Sequence, residues 1–201
     1  MKNIIENEKY KLEIFDDLNP CSPREFDNLG TMVCFHNRYT FGDETELKSS
    51  DFSSWEELES YLYKKEKALI VVPVFLYDHS GLSVNTTGFS CPWDSGQIGY
   101  IYTSKERIRN EYSCKRISKK LKEQVREMLV SEVDSYNQYL SGDVYGFNVT
   151  DKQSGEELNS CYGFFGTDHI ENGIFDYVSQ YFTKSEFMEA MSWLNLKDTK
   201  Q

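Results

Sequence analysis

Along residues 9–15 apolar and polar positions alternate, with Tyr10, Leu12 and Ile14 on one side, and this period of two predicts a half-buried strand. Residues 19–23, with Pro20 and Pro23, form a loop. A short strand follows over 31–36, with its exit through Arg38 and Gly42. Ser54 and Glu57 have capping-box spacing, and Trp55, Leu58 and Leu62 recur at helical intervals, so 54–67 is predicted helical. Residues 68–77 are apolar enough for a central strand, although Pro73 demands a bulge or an open edge there. Residues 77–96 read as loop or irregular β. Over 98–103 the pattern returns to strand, with Ile98, Tyr100 and Tyr102 on one face. Ser104 is placed to cap a short helix running to Glu111.

The longest periodic signal comes next. Ile117, Leu121, Val125, Leu129, Val133, Tyr136 and Leu140 form one apolar stripe, which predicts a long helix over 117–140 that Gly142 ends. Residues 144–150 and 157–165 read as a hairpin turning near Gly155. Residues 168–182 and 185–194 are expected to be helices, with Ser185 as the cap of the second. Hairpins and helices interleave without regular βαβ alternation. That order predicts an α+β fold: a mainly antiparallel sheet packed by the 117–140 helix, with C-terminal helices. The expected division is a core domain over 1–166 and a helical segment over 167–201 packed on it.

Composition supports a folded core. Aromatic residues make up 15% of the 201 residues, a bulk of apolar surface that disordered chains lack. The most apolar stretch, 68–77, is too short to span a membrane, and the first residues show no leader-like apolar run, so a cytoplasmic home is expected. Five widely spaced cysteines without a C-x-x-C pair argue for reduced thiols and against a zinc site. Phosphate-binding glycine loops and the G-x-S-x-G elbow are missing, so no cofactor is expected.

Charge changes this picture most. The formal net charge is −11, yet residues 105–126 carry nine basic and three acidic side chains. Lys115, Lys119, Lys122 and Arg126 are spaced to share one face of the long helix, and such a stripe can track a phosphate backbone. The competing reading is a solvated helix face. Acidic residues dominate 1–60 and 127–201, including Asp43, Glu44 and Glu46. A third feature is the loop that brings His79, Cys91, Trp93 and Asp94 into a short Gly- and Ser-rich stretch. A Cys–His pair there is a candidate nucleophile, against a structural reading in which Trp93 plugs the core.

Several motifs carry a resemblance. They are Phe26-Asp27-Asn28-Leu29-Gly30-Thr31-Met32-Val33-Cys34-Phe35-His36, then Arg38-Tyr39 and Gly42-Asp43, then Cys91-Pro92-Trp93-Asp94-Ser95-Gly96-Gln97, and Gly142-Asp143-Val144-Tyr145-Gly146. Over residues 26–165 the chain resembles a family of small bacteriophage and mobile-element proteins. The resemblance implies an accessory protein that binds and inhibits a host macromolecule without catalysis, such as a CRISPR or restriction complex. Its partner would be a host protein or ribonucleoprotein. Acidic faces would mimic nucleic acid; the candidate contacts, taken from this chain's own charge map and loop, are Asp43, Glu44, Glu46, Trp93 and Asp94, and the basic island would touch bound RNA or DNA. Two other readings stand beside it: a small hydrolase or nucleic-acid-processing enzyme using His79, Cys91 and Asp94, and an RNA-binding module using the 105–126 island.

Overall fold

The structure, a computed structural model, describes residues 2–198. It contains two compact units, residues 22–141 and residues 1–21 with 142–201. The expected boundary at 166 is therefore not where the chain divides. Both ends of the chain build one unit, because the first strands pair with the hairpin that follows the long helix.

The 22–141 unit is a four-stranded antiparallel sheet covered by a helix on each face. Its strands are β3 (Thr31–Cys34), β4 (Ala68–Asp78), β5 (Leu82–Asn85) and β6 (Ser95–Ser104), in the order β3-β6-β4-β5. One face packs on α3 (Lys119–Ser141) through Val72, Val74, Ile101, Leu129 and Val133. The other packs on α1 (Trp55–Lys64) through Leu58, Leu62, Val71 and Tyr100. The stripe predicted on α3 is thus buried, with Val125, Leu129 and Val133 fully so and Leu121 and Leu140 at its margins.

Two irregularities explain where a simple strand pattern breaks. Val74 pairs with Gly99 but Phe75 with Gln97, so Ile98 is an extra residue, a bulge. It shifts the phase of β6: Ile98 joins the α3-side core while Tyr100 and Tyr102 face α1. The single face expected for Ile98, Tyr100 and Tyr102 is therefore split. Pro73 pairs with Tyr100 of β6, and β5 reaches only Phe75 to Asp78, so the other edge of β4 is open at the proline.

The second unit carries β1 (Lys2–Glu6), β2 (Tyr10–Asp16), β7 (Val144–Asp151) and β8 (Glu157–Phe165) in the order β1-β2-β7-β8, all antiparallel. Strand β1 falls in a stretch that gave no strand signal. Two short apolar helices, α4 (Ile174–Val178) and the start of α5 (Lys184–Asp198), bury Ile174, Val178 and Phe187 on one face of this sheet. The helix expected over 168–182 shrinks to α4. Asp168 instead accepts from the backbone of Ile170 and Glu171, and Gly173 takes φ 92°. The cap of α5 is Thr183, which exchanges bonds with Glu186, rather than Ser185. His169 is buried, its Nδ1 3.1 Å from Asn172, and burial holds its pKa below 6.5.

A buried ion cluster locks the 22–141 unit. The Arg24 side chain is only 5% exposed and clasps Asp43 with Nε and Nη2 at 2.8 Å each. Its Nη1 donates to Glu132 of α3 at 3.0 Å, and Nη2 also donates to the Gly30 carbonyl. Glu132 in turn accepts from the Leu29 and Gly30 amides, and Asp43 from the Met32 amide at 2.8 Å. Burial disfavours the Arg24 charge, but the bonds and charges of Asp43 and Glu132 outweigh it and raise the pKa. Gly30 is required here: a Cβ would sit 2.7 Å from both Ile101 and Leu129 side-chain carbons. Removing one partner strands a buried charge, which costs about 3–5 kcal/mol. Arg24→Ala and Glu132→Ala should each lower unfolding free energy by about that amount in urea melts, and Arg24→Lys should recover little, because an ammonium lacks the two-pronged geometry.

Candidate functional site

Strand β6 ends at Ser104, whose hydroxyl caps α2 (Lys105–Glu111) by accepting from the Arg107 amide at 3.1 Å. The chain then turns through residues 112–118, with Ser113 at φ 47° and the Cys114 amide bonded to the Arg109 carbonyl. Ser118 accepts from the Leu121 amide through its hydroxyl and from the Lys122 amide through its carbonyl, starting α3. This fold-back lines a groove of about 350 Å³ with Lys105, Arg109, Lys115, Arg116, Lys119 and Lys122, over Leu69 and Ile117. All six cations are exposed, and among the described residues none of them forms an ion pair.

The predicted helical stripe is partly redrawn by this geometry. Lys115 lies in the turn before α3, so it reaches the groove from the loop and not from a shared helix face. Arg126 lies farther along α3, outside the groove lining, as an electrostatic neighbour of Tyr63. Lys105, Arg109 and Arg116 were not singled out by spacing. Only the fold-back of α2 on α3 brings them to the same concave surface. Six unpaired like charges around one hollow focus a positive potential, which an anion relieves.

The opposite end of the same sheet is chemically different. Because β3 and β6 are antiparallel, the exit of β3 meets the start of β6. There His36 stacks on Tyr39 at 5.3 Å, the Arg38 guanidinium lies 5.3 Å over the Tyr39 ring, and Arg38 pairs with Asp78. Trp93 does not plug the core. It is 91% exposed in the β5–β6 loop, two residues before β6 begins. Asp43, expected as a free surface acid, has both carboxylate oxygens engaged by Arg24. Glu44 and Glu46 remain exposed.

The loop triad does converge, on Asp94. His79 Nδ1 lies 3.4 Å and Cys91 Sγ 3.5 Å from Asp94 Oδ2. A cysteine nucleophile needs the imidazole on the thiol, with the carboxylate behind it. Here the carboxylate sits between the two, an order that ties the β4–β5 turn to the next loop. Cys34 lies deeper, beside Asp43. Burial above all, with the Asp43 charge, pushes its thiol up to about 12. No family model, curated protein sequence or solved structure matches the chain. No helix among the described residues is long and apolar enough to cross a membrane.

Thiol chemistry reports this geometry directly. At pH 8 exposed Cys21 should be alkylated by iodoacetamide within minutes while Cys34 stays unmodified in the folded protein, as read by peptide mass spectrometry. Fast labelling of Cys34 would mean that its surroundings are open.

Proposed function

We propose that the chain is a non-catalytic binding protein that engages the phosphate backbone of RNA, presented in a ribonucleoprotein complex, through the α2–α3 groove. The observation that carries this reading is the set of six unpaired cations around one hollow of about 350 Å³. A polyanion neutralises several of them at once and releases its own counterions, which is the main driving force of backbone binding. Contacts to phosphates carry no sequence information, so affinity is expected to be uniform across sequences. The net charge of −11 opposes approach to free nucleic acid at long range. That favours a strand already held by a partner. The resemblance to bacteriophage and mobile-element proteins makes a host defence complex the fitting partner and inhibition the expected result.

Fluorescence anisotropy with a labelled single-stranded RNA, and with DNA of the same sequence, tests the groove. The triple variant Lys115→Gln, Lys119→Gln, Lys122→Gln should bind at least about tenfold more weakly at low salt. Its log–log salt slope should be shallower by about 2, since each single-strand phosphate contact contributes about 0.7. An unchanged slope would remove the groove from the binding surface. Preference for DNA over RNA would keep the groove and change the strand.

A further inference from the structure

The far end of the 22–141 sheet, about 30 Å from the basic groove by the length of the ten-residue strand β6, shows a second set of features. Trp93 stands exposed on a loop that is held on both sides. Ser95 Oγ donates to the Cys91 carbonyl, the Asp94 carbonyl accepts from the Asp78 amide at 2.8 Å, and the Asp94 carboxylate meets His79. Pro92, just before the tryptophan, has its own φ fixed and restricts Cys91. An indole left in water by a loop this well tied is presented, not misplaced. Below it lies a hollow of about 350 Å³ that includes His36, Arg38, Asp78 and Asp94. A wider groove of about 680 Å³, lined by Tyr39, Glu44, Lys48 and Trp55, joins it at His36.

Trp, Tyr and Arg are the residue types that dominate protein–protein binding energy, and Trp93, Tyr39 and Arg38 are exposed together here. The sign of the partner follows from charges that are already paired. Arg24 is shared by Asp43 and Glu132, and Arg38 pairs with Asp78. With Asp94 on His79, exposed Glu44 and Glu46 stand against Lys48, a small acidic excess at the end of the sheet that exposes the Trp93 indole. A guanidinium is the group that suits both features, since it stacks on an indole face and pairs with carboxylates. The molecule already makes this contact once, where Arg38 covers Tyr39.

We infer that the Trp93 end is a docking surface for an arginine-rich protein segment, with an arginine side chain stacked on Trp93 and its neighbours paired with Glu44 and Glu46. This surface is separate from the basic groove and stands whether or not that groove holds RNA. The probe is a labelled octa-arginine peptide, titrated by anisotropy at physiological salt, with an octa-lysine peptide in parallel. The arginine peptide should bind more tightly than the lysine peptide. Trp93→Ala should weaken arginine-peptide binding about tenfold, the scale of a lost cation–π stack with its desolvation. Glu44→Lys with Glu46→Lys should weaken it too. Tyr162→Ala removes an exposed ring of the other unit and should change nothing. The Lys115, Lys119, Lys122 triple variant should keep peptide binding while losing RNA, so the two sites fail separately. Equal affinity of the wild type, Trp93→Ala and Tyr162→Ala proteins would show general attraction to an acidic surface and would overturn the inference, as would failure of the peptide to bind.

Discussion

A single buried guanidinium sets the geometry on which both candidate surfaces depend. Arg24 lies between Asp43, in the segment leaving β3, and Glu132, on α3, and it also holds the Gly30 carbonyl. A charge removed from water persists only where its donors are met. That requirement fixes α3 against the start of β3 and fixes the 42–43 turn against β3. The path from His36 to Glu46, which carries one rim, is therefore anchored at Asp43, and α3, whose first turn carries the other, is anchored at Glu132. Tyr136 reinforces the arrangement, its hydroxyl accepting from the Gly42 amide.

The strands then separate what the cluster holds. A β-sheet carries side chains across its faces, but its two ends are loops, and loops at opposite ends share no residues. Helix α2 and the turn into α3 gather cations at one end. The β3 exit and the β5–β6 loop gather exposed aromatics and acids at the other. The unit is thus electrically bipolar along its strands. The ribonucleoprotein partner proposed above would present both signs to it.

Much of this was legible in the chain. The stripe from Leu121 to Tyr136, the Ser104 cap and the hairpin around Gly155 follow local rules, and the structure has the corresponding elements. What local rules missed depends on contacts distant in sequence. Strand β1 exists because β2 offers it an edge, not because Lys2–Glu6 has a strand pattern. The bulge at Ile98 comes from how β6 pairs with β4. Asp43 looked like one of several surface acids because its partner Arg24 lies 19 residues before it, and Glu132, which shares that guanidinium, lies 89 after it. Likewise, the island was visible as a run of charge, but the groove was not. It needs Arg109 on α2 and Lys122 on α3 to face one hollow. Trp93 misled for the opposite reason: a tryptophan is usually buried, and sequence alone does not show that a loop presents it.

Hydrogen–deuterium exchange on the whole protein, with and without a saturating single-stranded RNA, tests the central claim that the two ends of one sheet are separate sites of opposite sign. Slowed exchange is expected in the amides of 105–122, with residues 36–48 and 89–95 unchanged. Protection centred on 36–48 or 89–95, or none at 105–122 despite binding, would contradict it.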